Sequence, residues 1–200
     1  MRRAVFLIDG HVMRTEKEKM LVGDIYHAFD TELVIERDRA KAICFKLNQT
    51  CSTDRDTRQS LILQLFAHTE HVETDAWVES PFHCDYGYNI TVGKGFYANH
   101  GCTILDGAPV TFGDNCLLAP SVVIATAGHP LDSVERAKGD EYAKAITVGN
   151  DVWLGANVTV CPGVTIGDNV VVGAGSVVTK DLPANTVCVG APAKPVRVID

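Results

Sequence analysis

The sequence predicts a mainly β protein built as a parallel β-solenoid, with a helical segment in front and one loop pushed out of the coils. Three observations predict it. Branched aliphatic residues recur every six positions over the second half of the chain, glycine tends to follow them, and the recurrence breaks once, at "IATAGHPLD" (residues 124–132).

Taken from the start, the chain reads "MRRAVFLIDGHVMRTEKEK". Its apolar run is ended by Asp9 before it reaches the length of a secretory h-region, and no small-residue cleavage site follows. Residues 1–13 are read as an extension, Met13 offering a second start. No window is long and apolar enough to span a bilayer, so the expected location is the cytoplasm.

Residues 14–75 form the helical segment. In "EKEKMLVGDIYHAF", Met20, Leu21, Ile25 and Phe29 fall at helical spacing. Asp30 or Thr31 can cap "ELVIERDRAKAICFKLNQ", whose Leu33, Ile35, Ala40, Ile43, Phe45 and Leu47 suit one broad apolar face. Thr53 and Asp56 resemble a capping box ahead of "RQSLILQLFAH". Three helices are expected, with their charges on solvated faces.

From residue 76 to 200 the texture changes. Val148, Leu154, Val160, Ile166, Val172 and Val178 share one column, Phe112, Leu118 and Ile124 an earlier one, and Val92, Ala98 and Ile104 a weaker one. Gly93, Gly113, Gly149, Gly155, Gly167 and Gly173 each follow a column residue. A fixed short period of this kind marks a solenoid. Six residues make one short strand and a corner, where Gly and Asn tolerate positive φ. Three sides return the chain above its start, so coils stack about 4.8 Å apart in parallel pairing.

The break extrudes residues 126–146, opening with Gly128-His129-Pro130. Loops on rigid scaffolds are where functional groups collect. His129 is therefore either a solvated turn residue or a functional group. The net charge of −7 disfavours non-specific binding to nucleic acid or to an anionic membrane, while leaving room for a local basic pocket. The seven cysteines form no CxxC pair, and buried reduced thiols are expected, with no metal site.

The motifs "TEKEKMLVGDIYHAFDTELVIERDRAKAICFKLN", "CDYGYNITVGKGFYANHGCTILD", "VTFGDNCLLAPSVVIATAGHP" and "NDVWLGANVTVCPGVTIGDNVVVGAGSVVTKDLPANTVCVGAPAKPVRVID" together resemble the hexapeptide-repeat sugar O-acetyltransferases of the maltose, galactoside and nodulation type. The resemblance runs from about residue 14 to the end. It implies a left-handed parallel β-helix, whose crossovers reverse the usual hand.

It also implies acetyl transfer from acetyl-CoA to a sugar hydroxyl by direct attack, with His129 as general base and the Ala156 backbone N–H stabilising the oxyanion. Acceptor binding maps onto Asp85, Tyr97, Asn99 and Asp106. Contacts to the co-substrate map onto Trp153, Ala174, Thr179, Lys180, Lys194 and Arg197. Such enzymes are homotrimers with sites between subunits, and they need no metal. Three positions depart from the family pattern: His27 where an acidic residue is common, Ala145 where proline is usual, and Gly107 beside Asp106, so that one carboxylate is missing.

Other readings stay open: a xenobiotic acetyltransferase of the same fold, a non-catalytic scaffold, and a metal-dependent hydro-lyase recruiting His83, His100 and His129.

Overall fold

The computed structural model describes residues 14–66 and 75–200, together with an antiparallel pairing of Leu7–Ile8 with His11–Val12. The extension read at residues 1–13 otherwise lies outside the described residues.

Three parallel sheets form the walls of a prism of about six turns. The first carries Trp77–Val78, Tyr97–Ala98, Leu117–Leu118, Trp153–Leu154, Val170–Val172 and Thr186–Val189. The second carries His83–Cys84, Thr103–Leu105, Val123–Ala125, Thr159–Val160 and Val177–Val178. The third carries Ile90–Thr91, Val110–Phe112, Ile146–Val148 and Thr165–Ile166. Lys194–Val198 turns back antiparallel onto Thr186–Val189 and ends the first sheet.

The predicted columns are the interior. Ala98, Leu118, Leu154, Val172 and Cys188 stack in register, as do Ile104, Ile124, Val160 and Val178, and all are buried. Burying each large aliphatic side chain contributes about 1.5–3 kcal/mol, so these ladders are the main drive to coil.

The corner glycines, such as Gly95 (φ 67) and Gly175 (φ 71), take the expected positive φ, whereas the glycines that follow column residues do not. Positive φ at the corners belongs to residues two places later, among them Asn115 (φ 58), Asp151 (φ 57), Asn157 (φ 58) and Asn169 (φ 54). The column glycines are there for closeness instead. A Cβ on Gly149 would lie 2.8 Å from the Asp168 backbone nitrogen, and one on Gly155 would lie 2.7 Å from that of Ala174.

In the helical segment, α1 spans Glu16–Val22, α2 spans Thr31–Gln49 and α3 spans Arg55–Leu65. Thr15 and Glu18 form a capping box at the start of α1, and Gly23 ends it in the left-handed region (φ 82). The apolar spacing of Ile25 and Phe29 is therefore not helical, and both are exposed. On α2 the Asp30 cap is as expected, but Ile35 and Phe45 face solvent and Cys44 packs inward. The cap of α3 is Asp54, which accepts from the Thr57 N–H, rather than Thr53.

One charge in this segment is not solvated. Arg58 is 1% exposed and donates to the carbonyls of Leu47 and Val78 and to Ser80 Oγ, with Trp77 over its guanidinium. It locks the helices onto the first coil. Phe66 closes the open end of the prism against Phe82 and Phe96.

Candidate active site

The chain separation between stacked corners measures the extruded loop. It is 20 residues from Lys94 to Asp114 and 18 from Asn150 to Asp168, but 36 from Asp114 to Asn150. The length of a whole coil is pushed out between Ile124 and Val148. Thr126 fixes its base: the hydroxyl donates to the Leu105 carbonyl at 2.7 Å and accepts from the Ala108 N–H at 3.0 Å.

The extruded segment is ordered rather than an irregular loop. Ala127–Gly128 pairs antiparallel with Asp140–Ala143, and the short helix α4 (Ser133–Ala137) caps the hairpin, with Asp132 as N-cap. The other edge of Asp140–Ala143 pairs with Tyr26–His27, so Asp140 stands opposite His27 and Glu141 opposite Tyr26. A three-stranded sheet thus ties the helical segment to the strand after His129.

His129 is half-exposed, and its Nδ1 lies 3.1 Å from the Asp140 carbonyl oxygen. A carbonyl only accepts, so Nδ1 carries the proton and the neutral ring presents a lone pair at Nε2. Glu141 Oε1 stands 3.8 Å from Nε2. That is too long for a hydrogen bond but close enough to stabilise an imidazolium. The other Glu141 oxygen accepts from the Tyr26 hydroxyl at 2.8 Å. Burial and this bond push the Tyr26 phenol far above its usual range, so it stays a donor.

A cavity of about 260 Å³ opens beside this group, lined among others by Tyr26, Phe29, Arg37, Asp85, Tyr86 and Glu141. Asp85 is half-buried; burial raises its carboxyl pKa, while the Arg37 charge works against that rise. Arg37, from α2, donates to the Tyr86 hydroxyl at 2.7 Å and to the Ala28 carbonyl at 2.6 Å. Sequence reasoning missed Tyr26, Arg37 and Glu141. The spacing that places Glu141 opposite Tyr26 exists only once the hairpin forms.

Asp106 is wholly buried. Its carboxylate accepts from the backbone N–H groups of Asp85 at 3.0 Å, Tyr86 at 2.8 Å and Asn89 at 3.3 Å. Burial lifts its pKa to about 6, with those backbone donors opposing. Tyr97 and Asn99 lie on the first face and its corner and do not line this cavity; Asn99 Oδ1 accepts from the His100 N–H. His27 stands 3.8 Å from Asp140 Oδ1, with its ring against Phe29.

The candidates for co-substrate contact occupy the outside of the prism. Trp77, Tyr97, Leu117, Trp153, Val171, Val187 and Arg197 form one outward ladder on the first face. Trp153 is half-exposed, and Ala174, Thr179, Lys180 and Lys194 are exposed. The Ala156 carbonyl accepts from the Gly175 N–H, while its own N–H is absent from the hydrogen bonds between described backbone groups. Among the described residues no three His, Cys, Asp or Glu side chains gather to hold a metal, so His83, His100 and His129 do not form a cluster. No helix there is long and apolar enough to cross a membrane.

Two family models match, the maltose acetyltransferase hexapeptide capping motif over residues 19–70 and the bacterial transferase hexapeptide over residues 145–180. A galactoside O-acetyltransferase of Escherichia coli K12 is 43% identical over 183 residues, covering 92% of this chain and 89% of its own. The chain belongs to the maltose and galactoside O-acetyltransferase family. The solved maltose O-acetyltransferase of Clostridium difficile 630 shares 46% identity with this family member at a TM-score of 0.89, covering 94% of this chain and 98% of its own. A galactoside acetyltransferase solved with coenzyme A shares 40% identity at 0.87, covering 94% and 92%.

Proposed function

We propose that the protein moves the acetyl group of acetyl-CoA to a sugar hydroxyl, with His129 as general base. The observation that carries this is the Nδ1 contact to the Asp140 carbonyl, which leaves Nε2 free to take a proton, 3.8 Å from Glu141, whose side chain lines a polar cavity that His129 itself does not line. A sugar hydroxyl is a poor nucleophile at neutral pH. Nε2 takes its proton as the oxygen attacks the thioester carbonyl carbon. Glu141 stabilises the imidazolium, and the Ala156 N–H is available to the oxyanion. Collapse breaks the C–S bond, and the thiolate of CoA leaves with the proton from Nε2. No acyl-enzyme forms.

Asp85 is assigned to the acceptor, with Tyr26, Arg37 and Tyr86 shaping its pocket. Asp106 holds the backbone of Asp85 and Tyr86 and makes no contact with the sugar. Tyr97 and Asn99, and the cluster of Trp153, Ala174, Thr179, Lys180, Lys194 and Arg197, complete the site from another copy of the chain in a homotrimer. One observation supports that arrangement: Leu131 and Val134 stand exposed at the hairpin tip.

The test is a thiol-release assay with acetyl-CoA and a panel of maltose, glucosides and galactosides, with His129→Ala as blank. Sugar-dependent release that His129→Ala abolishes supports the reading. Absence of release with every sugar, or equal release by the variant, rejects it.

A further inference from the structure

Cys44 and Cys84 stand sulfur to sulfur. Their Sγ atoms are 3.7 Å apart across 40 residues of sequence, and both are buried. Cys44 sits on the inward side of α2, and Cys84 ends the strand His83–Cys84 that runs directly into Asp85. The other thiols are placed differently: Cys102 and Cys116 donate to backbone carbonyls, Cys188 neighbours Thr186, Cys51 is exposed and Cys161 half-exposed. A second cavity, of about 450 Å³, opens between helix and strand, lined among others by Lys41, Cys44, Asn48, His83 and Cys84. Neither sulfur has a part in acetyl transfer, yet a small oxidant entering this cavity meets both.

We propose that Cys44 and Cys84 are a reversible thiol–disulfide site, closed by hydrogen peroxide, that clamps α2 onto the strand leading to the acceptor carboxylate. The contact between the two sulfurs lowers the Cys44 pKa and, together with burial, raises that of Cys84, so Cys44 is the readier thiolate. The Cys44 thiolate attacks one peroxide oxygen and the O–O bond breaks. This leaves a sulfenic acid on Cys44 and a hydroxide that takes up the proton Cys44 gave away. The Cys84 sulfur then attacks the sulfenic sulfur, the S–O bond breaks, and the departing hydroxide leaves with the Cys84 proton. Two thiols give up two electrons, and one peroxide becomes two waters.

Closing the bond brings the sulfurs from 3.7 Å to about 2.05 Å. Rotation at the two Cβ atoms supplies part of that, and the rest draws α2 toward Cys84. Arg37 rides on the same helix and donates to Tyr86, so closure reshapes the pocket on two sides of Asp85. This last consequence rests on the acceptor reading given above; the bond itself does not.

The experiment uses the full chain in a Cys51→Ser background, which removes the exposed thiol. After treatment with hydrogen peroxide, a digest without reductant is read by mass spectrometry. The expected product is a Cys44 peptide joined to a Cys84 peptide, two hydrogens lighter than their sum and separated again by dithiothreitol. The thermal midpoint should rise with the bridge and fall on reduction. Thiols that alkylate separately after peroxide, or sulfinic acid in place of a bridge, overturn the proposal. Cys44→Ala and Cys84→Ala must each abolish the midpoint rise, and a rise that survives either one overturns it as well.

Kinetics on the bridged protein separate this idea from the acceptor assignment. A several-fold change in acceptor KM with an unchanged acetyl-CoA KM supports the clamp, and an unchanged acceptor KM refutes it. A reduced protein inactive toward every sugar, yet forming the bridge, counts against the acceptor reading and leaves the thiol site standing.

Discussion

Glu141 Oε1 lies 3.8 Å from His129 Nε2, while the other oxygen of the same carboxylate is held by the Tyr26 hydroxyl. His129 directly follows the strand Ala127–Gly128, Glu141 lies on the strand paired with it, and Glu141 also pairs in register with Tyr26 from the helical segment. A carboxylate fixed from one side and kept off the ring nitrogen on the other leaves Nε2 open. It adds a negative charge where the proposed mechanism forms an imidazolium. The helical segment thereby reaches the proposed proton transfer through a single side chain.

Glu141→Gln keeps the hydrogen bond from Tyr26 and removes the charge. The expected result is a fall in kcat of about 10-fold, equivalent to about 1.4 kcal/mol of transition-state stabilisation. The acetyl-CoA KM should not move. Steady-state kinetics check this, and an unchanged kcat would remove Glu141 from the mechanism.

Asp106 makes a pH-dependent prediction. Its folded-state pKa of about 6 lies above the ordinary 3.8 because burial penalises the charge. The folded protein therefore binds this proton more tightly than the unfolded chain does. Above the unfolded value the unfolded chain has released the proton while the folded one still keeps it, so this group's contribution falls as pH rises. The loss runs from about pH 4 to about pH 6 and totals roughly 3 kcal/mol. Asp106→Asn has no such proton, so the stability difference, wild type minus variant, should decline across that window and flatten above it. Urea unfolding at several pH values measures the difference, and a pH-independent difference would contradict the assignment.

The fold was readable because its rule is local. A column residue, a glycine and a corner residue repeat within six positions, and burial of Leu154 or Val160 follows from spacing alone. Helix α1 was overextended because Ile25 and Phe29 mimic a continuing apolar stripe, although Gly23 carries the stop signal. Of the proposed site, the sequence offered only part. His129 and Asp85 stand in short motifs, whereas Glu141 and Arg37 matter only through partners such as Tyr26 and Tyr86, far away in sequence. Asp106 illustrates a related point. A carboxylate after "TIL" suggests a ligand contact, and only the folded backbone around Asp85 shows that its oxygens are taken.

Gly149 tests the reason for the repeat glycines. Its φ lies outside the left-handed region, so alanine meets no backbone strain, but the new Cβ would press on the Asp168 nitrogen at 2.8 Å. Gly149→Ala should destabilise the solenoid by about 1–3 kcal/mol through overpacking. The thermal midpoint should fall by several degrees. Asn157→Gly, at an exposed corner with φ 58, should by contrast cost little or even stabilise, because glycine suits that conformation. An unchanged midpoint for Gly149→Ala would show that closeness does not select glycine at this position.

The outward ladder of the first face makes the last prediction. Trp153 is half-exposed, and Arg197 caps the same ladder two strands beyond Val171, giving an aromatic plane and a cation along one line. That pairing suits a long ligand with an apolar arm and anionic phosphates, which is the shape of acetyl-CoA. Trp153→Ala removes the plane and Arg197→Ala the charge, and each should raise the acetyl-CoA KM about 10-fold. The acceptor KM should stay unchanged, because neither residue touches the Asp85 cavity. Charge and packing also predict different salt responses. The Arg197→Ala defect should shrink at high ionic strength, where the wild type loses the same attraction, whereas the Trp153→Ala defect should persist. Initial rates at low and high salt decide this, and a shared response in both variants would place the phosphates elsewhere.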